Sequence, residues 1–182
     1  MYKIIALIGK AGSGKDTIMK KVLAAHPLGI NEIISCTTRP KRDNEVEGIN
    51  YFYLTNDQFA CKILNGEMIE ATCFNGWHYG TSYDTLRSDV INIGVFNPDG
   101  IHALLQDKNI ELKVFYINAN DKVRMLRQLN REENPNVNEI VRRFQTDEED
   151  FQDLEEIKYI KLINNTIEDL DVCVNSILDE IN

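Results

Sequence analysis

Residues 9–15 (GKAGSGK) have the residue types and the spacing that bind phosphate groups. Glycines allow the backbone to curl so that its N–H groups point inward and form an anion nest. A helix beginning at Lys15 would add its positive amino-terminal end, and the amine of Lys15 would supply a point charge. The pattern G-x-x-x-x-G-K therefore predicts a site for a nucleoside triphosphate. The residues predicted to line it are Gly9, Lys10, Ala11, Gly12, Ser13, Gly14, Lys15, Asp16 and Thr17.

Position 16 departs from the usual pattern, which has Ser or Thr there to contact Mg²⁺. This chain has Asp16, followed by Thr17. A carboxylate also binds Mg²⁺, directly or through a water molecule, although it adds negative charge near the phosphates. We predict that Asp16 is the metal-side residue for Mg²⁺ bound together with ATP.

A second basic segment, residues 35–42 (SCTTRPKR), follows a predicted strand. Arg39 and Arg42 could form a site for a single phosphate group, because guanidinium groups match phosphate oxygens. The hydroxyls of Tyr51 and Tyr79 could donate to the same phosphate. Taken one at a time, these residues fit a solvated basic loop equally well.

Strands and helices are predicted to alternate along the chain. Short apolar runs predict strands at 2–8, 31–35, 90–95, 110–117 and 157–163, and helices are expected at 15–25, 56–65, 121–130, 137–151 and 167–181, with another after the N-cap signal Asn97-Pro98. Residues 36–50 read as a loop, and 67–74 with 77–79 as a hairpin around Asn75-Gly76. This alternation predicts an α/β fold, with a parallel sheet covered by helices on both faces.

Length and composition limit the function classes. The 182 residues suit one domain with small inserted lobes, and a net charge of −9 argues against a nucleic-acid or membrane-surface protein. The four cysteines have no zinc spacing, and no apolar run is long enough to span a membrane. We therefore expect a cytoplasmic protein that binds small nucleotides, with monomer and homodimer both open.

The order of the motifs resembles the guanylate kinase family. The segments that carry the resemblance are SCTTRPKRDNEVEGINYFYL (35–54), GEMIEATCFNGWHYGTS (66–82) and IKLINNTIEDL (160–170), and the similarity runs over nearly the whole chain. It implies a P-loop NTPase-like parallel sheet as a core (1–35, 82–125 and 152–182), an inserted lobe that binds the monophosphate (36–81) and a helical lid (126–151). It also implies ATP-dependent phosphorylation of a nucleoside monophosphate, GMP or dGMP.

The resemblance assigns roles to individual residues. Arg39, Arg42, Tyr51 and Tyr79 would hold the acceptor phosphate, and Ser35, Glu70, Gly80 and Thr81 would surround its base. Glu70 suits guanine because a carboxylate accepts from both N1–H and the 2-amino group, a donor pair that adenine and pyrimidines lack. Without the resemblance, Glu70 reads as an exposed strand residue.

Arginines of the predicted lid would close over the triphosphate. Arg131 and Arg143 match the family's lid arginines best and would be catalytic together with Lys15 and Arg39, and Arg127 would contact ATP. The alternative is that the arginines of this region pair with Glu132, Glu133, Glu139 or Asp147 on solvated helix faces. These arginines are Arg127, Arg131, Arg142 and Arg143. The acidic tract at 147–150 is expected to be solvated.

The third strand departs from the family pattern, which carries two aspartates there. We place Asn92 and Gly94 at their positions, Asn92 on the metal side, so that guanine selection would rest on Glu70. Two alternatives stay open: a broader deoxynucleoside monophosphate kinase, and a catalytically weak binding module related to guanylate kinases.

Overall fold

The computed structural model describes residues 1–26, 29–74, 76–131, 133–152, 154 and 156–181. Its strands are β1 (Tyr2–Ile8), β2 (Ile30–Glu32), β3 (Cys36–Thr37), β4 (Phe52–Tyr53), β5 (Met68–Phe74), β6 (Trp77–Ser82), β7 (Ile91–Val95), β8 (Ile110–Asn118) and β9 (Ile160–Ile163). Its α-helices are α1 (Lys15–Ala25), α2 (Asn56–Leu64), α3 (Pro98–Gln106), α4 (Asp121–Leu129), α5 (Val137–Asp150) and α6 (Ile167–Leu178).

Five strands form a parallel sheet in the order β2-β7-β1-β8-β9. Alternate residues of β1 point to opposite faces, so Ile4, Ala6 and Ile8 join one apolar cluster while Ile5 and Leu7 join the other. Apolar residues of α1 and α6 cover the second face, and those of α3 cover the first. The expected α/β class, with a parallel sheet and helices on both faces, is confirmed.

A second, four-stranded sheet has the order β4-β3-β6-β5. β3 pairs parallel with β4 and antiparallel with β6, and α2 packs its buried Phe59 near β6, where the rings of Phe59 and His78 stack with centroids 5.4 Å apart. Helix α2 begins with the predicted capping box, in which Thr55 and Gln58 satisfy each other's backbone N–H groups. The separation of the chain into core, lobe and lid stays a prediction.

Some predicted boundaries differ from the structure. The strand expected at 31–35 ends at Glu32, and Cys36–Thr37, expected in a loop, forms β3 because the chain crosses there into the second sheet. The late strand is shorter, at Ile160–Ile163, and the second hairpin strand is longer, at Trp77–Ser82. Asn97 caps α3 through its side chain with Pro98 in the first turn, as predicted, whereas Asn75 lies outside the described residues.

The placement of Asn92 on the metal side is wrong. The register pairs Asn92 with Ile4, four residues before β1 ends, so it lies about 13 Å from the carboxyl end of β1 at about 3.3 Å per residue, and farther still from the Gly9–Lys15 loop. Its buried amide accepts from Asn31 and from the backbone N–H of Arg87, and donates to the carbonyls of Lys3 and Arg87. Gly94 is also a packing position, since a Cβ there would meet Phe96 at 2.9 Å and Ile33 at 3.1 Å.

None of the helices in the described part of the chain is long and apolar enough to cross a membrane.

Asn92→Leu should lower the free energy of unfolding by about 3 kcal/mol, because buried groups of Asn31, Lys3 and Arg87 lose their partner. Urea unfolding followed by circular dichroism measures the change. The matched control Asn175→Leu, at an exposed position of α6, should stay within about 0.5 kcal/mol of the parent. An unchanged unfolding midpoint for Asn92→Leu would contradict the structural role.

Candidate active site

Gly12 and Gly14 are positions of the loop between β1 and α1 that a residue with a side chain could not occupy without strain. Gly12 and Gly14 have φ of 78° and 95°, in the left-handed region that residues with a Cβ rarely adopt. A Cβ on Gly12 would also lie 2.6 Å from the carbonyl oxygen of Arg124, and one on Gly14 would lie 2.4 Å from Nδ2 of Asn164. The loop therefore packs directly against α4 and the residue after β9, as a close-fitting backbone turn.

The amino end of α1 faces the inside of this loop. Its N-cap, Gly14, provides no side chain, so the first backbone N–H groups of the helix are left for another acceptor. The amine of Lys15 donates to the carbonyl of Gly9 at 2.5 Å. Burial lowers the pKa of Lys15, and the nearby charges of Asp16 and Asp147 partly oppose that shift. A concave group of backbone donors beside one lysine is suited to bind phosphate.

The carbonyls of the loop are bound from its other side. Nδ2 of the buried Asn164 donates to the carbonyl of Ser13 at 2.7 Å. Nη1 of Arg127 donates to the carbonyls of Asn164 at 2.9 Å and Ser13 at 3.2 Å. Arg127 thus lies against the loop backbone, and its predicted contact with ATP stays a prediction.

Two residues of α5 and one of α4 reach the outer part of the loop. Asp147 accepts from the backbone N–H of Ala11 at 2.7 Å and from Arg124 at 2.6 Å, and Lys10 pairs with Glu148. The prediction that the acidic tract at 147–150 is solvated is therefore wrong for Asp147, whose side chain is only 15% exposed. The reason is helical periodicity, because one side of α5 packs on the loop while the opposite side is exposed.

The metal side of the loop offers one carboxylate. Asp16 and Thr17 are exposed in the first turn of α1. Within the described residues, no group of three or more His, Cys, Asp or Glu side chains could hold a metal ion. One carboxylate beside phosphate oxygens nevertheless fits the way proteins usually bind Mg²⁺, which keeps several of its waters.

The second phosphate site predicted from the sequence is organised around Glu45. Arg39 donates to Glu45 at 2.7 Å, the hydroxyl of Tyr53 donates to it at 2.8 Å, and so does the backbone N–H of Arg42 at 2.9 Å. The hydrogen bond from Arg39 is the main cause that lowers the pKa of Glu45 to about 2. Burial, followed by the bond to Glu45, raises the pKa of Tyr53 to about 12. The guanidinium of Arg39 is thereby fixed in direction.

Two further tyrosines lie beside Arg39. Its guanidinium carbon is 5.5 Å from the ring centroid of Tyr51, and the rings of Tyr51 and Tyr79 are 6.0 Å apart. Burial raises the pKa of Tyr51, and the charges acting on that hydroxyl include Asp16 of α1. The structure thus brings Arg39, Tyr51 and Tyr79 together, whereas the side chain of Arg42 is exposed.

The predicted base-binding residues lie on neighbouring strands. Oε1 of Glu70 accepts from the hydroxyl of Thr81 at 2.8 Å, and burial raises the pKa of Glu70 while this bond opposes the shift. Gly80 keeps the two strands close, since a Cβ there would lie 2.4 Å from the carbonyl oxygen of Glu70. Ser35 is half-buried, and its carbonyl accepts from the N–H of Phe52. Glu70 is therefore a half-buried carboxylate with a fixed direction.

The lid arginines are divided between two environments. Arg142 and Arg143 both donate to Glu139 on their own helix, as the alternative interpretation expected, and Arg131 is exposed after α4. The roles of Arg131 and Arg143 in a closed lid stay predictions.

Sequence reasoning missed four residues of the site: Arg124, Asp147, Asn164 and Glu45. Asn164 follows the last strand, at the same sheet edge as the loop. This position in the sequence is the one feature that could have indicated that Asn164 belongs to the site. Arg124 lies one helical turn before Arg127, so the two share a face of α4.

The family model and the sequence relatives indicate the same family. A family model described as guanylate kinase matches residues 1–181. The chain is 44% identical over 90 residues to a guanylate kinase of Mesomycoplasma hyopneumoniae (strain 7448), which covers 50% of this chain and 44% of that protein. It is 40% identical over 85 residues to a guanylate kinase of Chlorobium luteolum, covering 47% of this chain and 43% of that protein. The matched part thus spans less than half the length of either relative.

A solved structure shares the fold. The guanylate kinase from Anaplasma phagocytophilum superposes with a TM-score of 0.69 at 23% identity, over 99% of this chain and 86% of that chain. At that identity the likeness concerns the fold alone.

Glu45→Gln should weaken the dependence of the free energy of unfolding on pH in the acid range. The folded-state pKa of Glu45, about 2, lies below its usual value of 4.5. The carboxylate therefore stabilises the fold above about pH 4.5, and this contribution is lost as the pH falls toward 2. Urea unfolding at a series of pH values should show a smaller loss over this window in the variant.

Glu111→Gln, at an exposed position of β8, is the control and should keep the parental profile. Parallel profiles for Glu45→Gln and the parent would show that the Arg39 pair does not contribute to folding.

Proposed function

Because the chain belongs to the guanylate kinase family, we propose that it transfers the terminal phosphoryl group of ATP to a nucleoside monophosphate, GMP or dGMP. The observation that carries the proposal is that the chain has two separate groups of residues suited to bind phosphate, one at each sheet. The loop around Lys15 is one, and Arg39 with Tyr51 and Tyr79 is the other. Transfer of a phosphoryl group between two phosphates needs one anion site for each of them.

On the donor side, the backbone donors at the start of α1 would bind the β- and γ-phosphates together with Lys15. Arg131 and Arg143 would approach from the lid and stabilise the charge on the transferring phosphoryl oxygens. No general base is required, because the acceptor oxygen of a monophosphate is already an anion. Closure over the site would exclude water, which would otherwise hydrolyse ATP.

Asp16, supported by Thr17, would hold Mg²⁺ directly or through a water molecule. When bound, Mg²⁺ would neutralise charge on the β- and γ-phosphate oxygens. The carboxylate takes the place of the usual hydroxyl, so the site would keep an oxygen ligand while adding one negative charge. This part of the site differs most from the usual motif.

On the acceptor side, Arg39 and Arg42 would bind the monophosphate, with the hydroxyls of Tyr51 and Tyr79 as further donors. Arg39 is held by Glu45, so its direction is set before the phosphate arrives and little entropy remains to be lost. Arg42 would supply a second cation from the exposed end of the same segment.

Glu70 would read guanine, with Thr81, Ser35 and Gly80 around the base. The carboxyl end of β7 carries Val95, followed by Phe96 and Asn97, and the side chain of Asn97 accepts from the N–H of Gly100. Base selection would therefore rest mainly on Glu70. This observation favours, as a second candidate, a kinase with a broader range of deoxynucleoside monophosphates. The proposed partners are free nucleotides of the cytoplasm, and monomer and homodimer both fit.

ADP formation from ATP and Mg²⁺, measured with each ribo- and deoxynucleoside monophosphate in turn, tests the proposal. GMP and dGMP should support turnover. Lys15→Ala should lower kcat/KM by about 100-fold or more, because the charge on the transferring group loses its fixed partner. Lys20→Ala, an exposed lysine of the same helix, should retain activity within about 2-fold.

The outcomes of this panel separate the candidates. Turnover with several bases would support the broader kinase. A protein that binds nucleotides but phosphorylates none of them would be a binding module, and the kinase proposal would be wrong.

Glu70→Gln should lower kcat/KM for GMP by about 10- to 100-fold, because the amide places a donor against the two donors of guanine. The KM for ATP should change by less than about 2-fold, since ATP binds elsewhere. Glu67→Gln removes an exposed carboxylate just before β5 and should leave both constants unchanged. An equal fall in kcat/KM for GMP in the two variants would show that Glu70 does not recognise the base.

A further inference from the structure

One residue of the Gly9–Lys15 loop, Ala11, is held on both sides of its backbone by a single ion pair. Its N–H donates to Oδ2 of Asp147 at 2.7 Å, and its carbonyl accepts from Nε of Arg124 at 3.0 Å. Arg124 and Asp147 bind each other at 2.6 Å. The three groups form a closed set of hydrogen bonds around one alanine.

Arg124 makes this arrangement with the planar fork of its guanidinium. Its side chain is 2% exposed. Nε binds Ala11, Nη2 binds Asp147, Nη1 binds Asp121, and the guanidinium carbon lies 4.3 Å from the ring centroid of Phe144. A lysine would keep the charge, but it could not reach these partners in one plane.

The pair also lies at the base of the predicted lid. Arg124 is on α4, just before residue 126, and Asp147 is near the end of α5, so their contact joins the two ends of the segment 126–151. Through Ala11, the same contact joins that segment to the phosphate-binding loop.

We propose that Arg124 and Asp147 are positioning residues of the phosphoryl transfer: they fix the Ala11 backbone, and with it the direction of the loop's N–H groups, and tie the base of the lid to the loop. This inference rests on the proposed function. Neither side chain needs to contact ATP. They act through the loop, where a displacement of about 1 Å reduces the rate by about 100-fold.

Three variants distinguish an effect on the position of the loop backbone from an effect on the stability of the fold. Asp147→Ala or Arg124→Leu alone leaves a buried group without its partner and should lower the thermal midpoint by about 5 °C or more. The double variant Arg124→Leu/Asp147→Leu replaces the pair with apolar groups and should recover most of that loss. Its kcat should nevertheless stay at least about 10-fold low, and its affinity for Mg·ATP should fall about 10-fold, because the Ala11 backbone remains unheld. Recovery of both stability and kcat would overturn the proposal.

Arg124→Lys provides a second test that does not depend on folding of the double variant. It keeps the charge and loses the fork, so we expect kcat to fall about 10-fold while the KM for the monophosphate changes by less than about 2-fold. Parental kcat and Mg·ATP affinity in this variant would overturn the proposal.

Asp121→Asn is the matched control, because Asp121 binds the same guanidinium but is 77% exposed and its bond to Arg124 leaves the Ala11 contacts in place. It should stay within about 2-fold of the parent in kcat. A loss as large as that of Asp147→Ala would attribute the effect to the charge of Arg124 and not to its hold on Ala11.

Calorimetric titration with Mg·ATP keeps the two proposals distinguishable. A parental protein that binds Mg·ATP but phosphorylates no monophosphate would refute the kinase. An Mg·ATP affinity that stays parental in both Arg124→Lys and the double variant would refute the positioning pair, whatever the acceptor.

Discussion

The hydrogen bonds that Asn164 and Arg127 make to the carbonyl of Ser13 determine how the rest of the site is arranged. A loop that presents its N–H groups to an anion must direct carbonyl groups the other way, and buried carbonyls need donors. These donors come from α4 and from the residue after β9, both distant from the loop in sequence. The carboxyl edge of the main sheet is therefore where the loop can form, because there the ends of β1, β8 and β9 meet.

In the second sheet, the group that needs a partner is the cation of Arg39. Arg39 lies beside half-buried tyrosines, where an unpaired cation is costly. Glu45 removes that cost by pairing with Arg39 and by accepting from Tyr53 and the N–H of Arg42. The same contacts order residues 39–53, most of which have no regular secondary structure.

Features that depend on local sequence were predictable. The glycines of the loop, the capping box at Thr55 and the Asn97 cap each follow from neighbours within a few residues. The parallel sheet followed from the alternation of apolar strands and helices. The role of Asn92 was not predictable, because its partners include Lys3 and Asn31, far away in sequence. Its place in the motif order indicates the metal side of the site, whereas the side chain satisfies buried backbone groups at the opposite sheet edge.

Asp147 shows why charge patterning misleads at such sites. A run of acidic residues on a helix indicates a solvated face, and that holds for most of the tract. A chain with a net charge of −9 nevertheless gathers cations around the Gly9–Lys15 loop, and cations packed together repel each other. Acidic residues such as Asp147 and Glu148 beside Arg124 and Lys10 offset that repulsion.

In the proposed reaction the phosphates of ATP would bring more negative charge to the same cations. Lys10, paired at the surface, can exchange its carboxylate for phosphate, whereas Arg124, enclosed between Phe144 and Ala11, cannot leave Asp147 without exposing a buried charge. This difference in burial separates a cation that can serve substrate from one that can only hold the loop in place.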